Sequence, residues 1–146
     1  MDQALRLDGA GCNRGMAPPL MAGQTENSFE TVRLMVREAD PSLAGQDILS
    51  ANEHERLAGM HEGARPAFVT ARRMLRTALG SYMGLLPGAV PLMQEGAGRI
   101  SIDGFAEDEP PYFSVSHTGA AEEGIAAVMV SETCPVGIDI QQLDPS

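Results

Sequence analysis

Two interleaved periodicities between Arg65 and Gly84 constrain this chain more than any other feature. Pro66 suits the first position of a helix, Gly84 falls near its end and Pro87 lies beyond it. A helix is therefore expected from Pro66 to about Tyr82. On it, Phe68, Leu75 and Leu79 share one stripe at 3.6-residue spacing. Arg65, Arg72 and Arg76 share a second stripe, about 60° round from the first. These arginines lie at the edge of the buried face, where a guanidinium needs a partner. Glu62 is the only acid within a turn of Arg65. Two readings stay open: at least one arginine binds an anion, or the stems snorkel and the heads reach solvent.

Charge is distributed to match. The formal net charge of −10 argues against general binding to nucleic acid or to an anionic membrane. Residues 1–55 carry net −5, residues 56–99 net +4 and residues 100–146 net −9. A basic middle beside an acidic end can hold an anion and a cation close together. The plainer alternative is a solvated basic helix and an acidic surface. The chain has no lysine, which excludes Schiff-base and lysine-nucleophile chemistry. No apolar run approaches the roughly 18 residues that a membrane span needs, and no secretory signal opens the chain. Cys12 and Cys134 match neither a disulfide framework nor a CxxC metal set, so a reducing cytoplasm is the expected location.

Along the chain, residues 1–27 show no sustained period and read as a disordered tail. Residues 28–146 read as the folded unit. Val32, Leu34 and Val36 alternate with Arg33, Met35 and Arg37, as in a half-buried strand, and Asp40-Pro41-Ser42 ends it. Ser50-Ala51-Asn52-Glu53 fits a capping box, opening a helix from about Ala51 to Met60. Past the second helix come short strands around Val90–Leu92 and Ile100–Ile102. Three more follow at Tyr112–Ser116, Ile125–Val130 and Val136–Ile140. The order, one strand, two helices and then strands to the end, indicates an α+β fold, with helices packed on an antiparallel sheet.

Four places could carry chemistry. Ser114-Val115-Ser116-His117-Thr118-Gly119 offers hydroxyls, an imidazole and backbone N–H groups to a phosphate. A Ser–His nucleophile is the other reading, although adjacent strand residues point to opposite faces and no orienting acid is indicated. Alternation puts Gly137, Asp139 and Gln141 on one strand face, with Ile138 and Ile140 on the other. Mg²⁺ is a fitting partner for Asp139, since it takes one or two carboxylates plus substrate phosphates; an ordinary strand-end Asp is the alternative. Arg99 follows Gly96-Ala97-Gly98 as a cation on a tight turn. His54 and His61 have no third ligand nearby, which argues against a metal between them.

At FSVSHTG, followed by an apolar strand and PVGIDIQQLDP, the sequence resembles the first half of the Sfp-type 4′-phosphopantetheinyl transferases. LSANEHERLAG, RPAFVTARRMLRTALGSYMG and GAGRISID resemble the same family in the same order, from about Val32 to Pro145. The family moves phosphopantetheine from coenzyme A to a serine of an acyl, peptidyl or aryl carrier protein, and it uses Mg²⁺. Its larger members are pseudo-dimers of two similar halves. The resemblance implies one such half here, with coenzyme A and a carrier protein as partners.

By that resemblance His117 and Ser116 would meet the 3′-phosphate of coenzyme A. Arg99 would stand at a basic position near the nucleotide phosphates. Arg65 and Arg72 would match basic helix positions, and Asp139 a metal ligand. Gln141 stands where many members carry a second acid, and Ile100 where proline is usual. Nothing matches the W-x-x-K-E-A-like helix of the family's second half, whose glutamate completes the metal site. The chain alone is accordingly expected to transfer poorly. The alternatives are a non-catalytic coenzyme A-binding module, or one that self-associates through the surface between halves.

Overall fold

The computed structural model describes residues 3–8, 32–40, 42, 48–94, 96, 98–106, 108–119 and 123–142. Strands β1 (Gln3–Asp8) and β2 (Val32–Glu38) precede helices α1 (Ala51–Gly59) and α2 (Arg65–Met83). Strands β3 (Leu92–Gln94), β4 (Ile100–Ile102), β5 (Tyr112–Thr118), β6 (Ile125–Ser131) and β7 (Gly137–Gln142) follow. Short 3₁₀ turns occupy Glu62–Ala64 and Pro87–Ala89. The class is α+β with antiparallel pairing throughout, as the element order indicated.

The centre is β6, flanked by β2 and β5 in a three-stranded sheet. Its sequence, IAAVMVS, runs apolar without alternating because both faces are covered. Ala126, Val128 and Val130 meet Ala71, Met74, Leu75 and Leu79 of α2. Ala127 and Met129 meet Ile138 and Ile140 of β7. Helix, sheet and the β1–β7 ribbon therefore form three layers around β6. The stretch read as a tail contains β1, which pairs along β7 with Leu5 opposite Ile140; the rest of that expectation, residues 1–2 and 9–27, lies outside the described residues. The tail reading is thus corrected for Gln3–Asp8, whose backbone finds its ladder on a strand from the far end of the chain.

Both helices start and stop where local chemistry directs. Ser50 Oγ accepts the Glu53 N–H at 3.2 Å, and Glu53 Oε1 accepts the Ser50 N–H at 2.9 Å. That is the expected capping box. Pro66 sits in the first turn of α2, and Gly84 closes it at φ 72°, a left-handed conformation that glycine adopts without penalty. Cys134 is buried and disulfide-bonded, although the two cysteines matched no disulfide framework in the sequence. The expectation of a reducing compartment loses its support with it.

The arginine stripe finds its partner on the other helix. Arg76 is 1% exposed. It donates to Glu53 Oε1 from Nε at 2.8 Å and from Nη2 at 2.5 Å. Its Nη1 donates to the carbonyls of Pro87 at 3.1 Å and Val90 at 2.8 Å. One carboxylate thus caps α1 and neutralises a cation sunk in the core. Breaking a buried pair from one side strands the other charge, at a cost of about 3–5 kcal/mol. Glu53→Ala should lose about that much stability in urea denaturation, and Glu53→Gln, which keeps an acceptor, should lose less. A loss below about 1 kcal/mol in Glu53→Ala would show the pair to be dispensable.

Candidate functional site

The two faces of β5 do different work. Phe113 and Val115 pack into the core under α2. His117 continues their side of the strand and meets the Phe68 ring edge-on, with centroids 6.0 Å apart. Ser114 and Ser116 lie on the other face. Their hydroxyls accept the N–H groups of Ile138 and Ile140, each at 3.1 Å. These bonds lace β5 to β7, which are not ladder partners. The structure therefore separates the Ser116 and His117 side chains, as strand geometry requires. Gly119 follows at φ 89°, and a Cβ there would come within 2.5 Å of the Glu123 carbonyl oxygen. Gly119→Ala should cost at least 1 kcal/mol or so in thermal or urea denaturation, since both the conformation and the space exclude it. A variant as stable as wild type would contradict that account.

His117 opens on a recess of about 380 Å³ between α1, α2 and the end of β3. Arg56, Met60, Phe68, Arg72 and Gln94 line it with the imidazole. The Arg72 guanidinium sits 5.0 Å from the Phe68 ring centroid. Its Nη2 donates to Gln94 Oε1 at 2.7 Å, and its Nη1 lies 3.6 Å from Glu53 Oε2. That second oxygen of Glu53 is buried and accepts no hydrogen bond. Arg56 donates from Nη2 to the Gly96 carbonyl, while its buried Nε has no partner among the described residues. The recess thus carries two guanidinium groups and one carboxylate, Glu55, beside an aromatic wall, and Arg56 Nε is a buried donor still without an acceptor among the described residues. An anion would meet the needs of such a site.

Electrostatics agree. Burial lowers the pKa of Arg72, Glu53 offsets part of this, and Arg56 and Arg76 lower it further. Arginine stays protonated all the same. Desolvation first, and the Arg72 charge second, hold His117 below the ordinary histidine value of 6.5. The residue is nevertheless exposed at the strand end, so the imidazole, neutral at pH 7, is open to a ligand. Because its folded-state pKa is depressed, the unfolded chain binds more protons below pH 6.5. The His117 contribution is present in full above that value and is lost as pH falls through the interval below it. Urea denaturation at pH 7.5 and at pH 5 should show wild type losing more stability than His117→Asn. Parallel losses would contradict this.

The remaining candidates are dispersed. Arg65 donates from Nε to the Met60 carbonyl at 3.3 Å, at the rim of the recess. Arg99 is exposed and lines a smaller cavity of about 100 Å³ beside Phe105 and Tyr112, at the opposite end of β5 from His117. Asp139 is half-buried on the β7 face opposite Ile138 and Ile140, and its Oδ2 accepts from Gln141 Nε2 at 3.1 Å. Among the described residues no group of three His, Cys, Asp or Glu side chains could hold a metal ion. Asp139 fits a metal only as a single carboxylate, in the manner of Mg²⁺ shared with phosphates and water. His61 accepts the Gly63 N–H through Nδ1 at 3.1 Å and caps a turn. Phe68, Gln94 and Arg56 were not singled out as ligand-facing residues. Only the stripe position of Phe68, one turn before Arg72, signalled any of them.

Fold and recess together describe an α+β protein with a recess lined by Arg56, Arg72, His117 and Phe68. No family model matches the chain. The chain is similar to the 4′-phosphopantetheinyl transferase HetI of Nostoc sp., at 36% identity over 83 residues. The match takes in 56% of this chain and 33% of the relative, so the chain spans about a third of the length of the curated relative it matches. No helix among the described residues is long and apolar enough to cross a membrane.

Proposed function

We propose that this chain supplies the coenzyme A-binding portion of a 4′-phosphopantetheinyl transferase, whose reaction moves phosphopantetheine to a serine of a carrier protein. The observation that carries the reading is the convergence of Arg72 and His117 on one recess beside Phe68. The similarity to HetI and the SHTG and GIDI motifs support it. In this reading Arg72 and a ring N–H of His117 hold the 3′-phosphate, with Arg65 at the rim. Ser116 orders the strand that presents His117, by fastening it to β7. Arg99, in a separate cavity at the far end of β5, is given no phosphate in this reading.

Asp139, with Gln141 beside it, would hold Mg²⁺ on the outer face of β7. No residue of the recess is assigned as the base that deprotonates the acceptor serine. That division fits a chain whose part is recognition of the donor.

Calorimetric titration with coenzyme A and with dephospho-coenzyme A, each with Mg²⁺, tests the reading. Loss of the 3′-phosphate, or His117→Ala, should each weaken binding by about tenfold or more, the worth of one charge-assisted hydrogen bond. Equal binding of the two ligands would overturn the assignment of the recess.

A second reading rests on a different observation. Tyr82, Leu85, Leu86, Met93 and Phe105 are exposed, Leu86 to 79%. Such a surface suits a non-catalytic or self-associating module. Light scattering that shows a tight oligomer indifferent to coenzyme A would favour it; a monomer would remove it.

A further inference from the structure

Gln94 is the last residue of β3 and joins the recess to the turn that follows it. Its Oε1 accepts from Arg72 Nη2 at 2.7 Å, and its Nε2 donates to the Gly98 carbonyl at 2.7 Å. Arg56 reaches the same turn at the Gly96 carbonyl. The turn is therefore stitched to both arginines of the recess, and Gln94 is the stitch to Arg72.

We propose that Gln94 is a positioning residue for phosphate binding: it aims the Arg72 guanidinium into the recess without adding a second carboxylate to Glu53, which already lies 3.6 Å from it. The inference rests on the reading of the recess as a phosphate site. An amide suits this task as no neighbouring side-chain type does. A carboxylate at position 94 would take the same hydrogen bond from Arg72 but would neutralise it, and would have no proton for Gly98. An apolar side chain would leave Arg72 held only by the Phe68 face and by Glu53, whose Oε2 lies 3.6 Å away without a hydrogen bond. The guanidinium would then settle toward the carboxylate, away from the ligand.

The charged groups around His117 make the effect readable. Arg72 faces it from α2, and Arg56 and Glu55 line the recess from α1. Strand β6 carries no titratable side chain, and Asp139 of β7 lies beyond the opposite face of β5. A carboxylate at position 94 would weaken the Arg72 field on the imidazole, which a purely structural change would not do.

The test uses Gln94→Glu and Gln94→Met, with inorganic phosphate and coenzyme A as separate probes. The His117 ring signals are followed by NMR and assigned by their loss in His117→Asn. Gln94→Glu should weaken phosphate binding by about tenfold or more and raise the His117 titration midpoint without ligand. Gln94→Met should weaken phosphate binding less. Circular dichroism should show both variants folded, since Gln94 is only half-buried. An unmoved His117 midpoint together with unchanged phosphate affinity in Gln94→Glu would overturn the inference, as would a wild type that binds no phosphate. Phosphate binding without coenzyme A binding would instead overturn the coenzyme A reading and leave the role of Gln94 standing.

Discussion

The rest of the structure depends on one buried carboxylate. Glu53 closes the capping box of α1 and takes two hydrogen bonds from Arg76, one turn beyond Arg72 on α2. With that charge neutralised, α2 can lay its apolar stripe on β6 while carrying arginines at the stripe's edge. The second oxygen of Glu53 stands near Arg72 without bonding it. Both arginines are buried, Arg76 at 1% and Arg72 at 6% exposure, and Glu53 lies within ion-pair distance of each; Arg72 is the one that also lines the recess. Function and stability share a single anchor, which explains why the helix tolerates so basic a face.

The central strand imposes the next constraint. Because β6 is covered on both sides, the helix and the β1–β7 ribbon must each find a place on it, and β5 at its edge serves both layers. The serines of β5 fasten the ribbon, and the alternate residues face the helix. His117 inherits the helix-facing side at the end of the strand, where Phe68 and Arg72 stand. The motif that suggested a joint Ser–His grip thus divides its labour across the sheet. The serine hydroxyl organises, and the imidazole is presented.

Much of this was legible in local sequence. The capping box, the two stripes of α2, the stop at Gly84 and the three C-terminal strands all follow from spacing and turn chemistry, and each forms near its expected bounds. What escaped is non-local. Nothing near Arg76 in sequence identifies Glu53 as its partner, because a capping glutamate reads as satisfied by its own helix. Strand β1 was missed because Leu5 and Leu7, alternating with Arg6 and Asp8 just before Gly9, make only two apolar repeats, too short a signal until β7 offers an edge. Gln94 looked like an ordinary polar strand end, and its task is visible only once β3 lies beside α2. Arg99, attractive on its glycine turn, falls at the other end of β5, since strand length and not sequence order sets its distance from His117. Of the basic and imidazole candidates, the structure gathers Arg72 and His117, with Arg65 at the rim.

The central claim is that the α1–α2 recess takes a terminal phosphate through Arg72 and His117. Phosphorus NMR of coenzyme A tests it most directly, since the 3′-phosphomonoester and the diphosphate give separate signals. On addition of the protein the monoester signal should shift and broaden, and His117→Ala should restore it. A monoester signal that stays put, whether or not the diphosphate responds, would contradict the account.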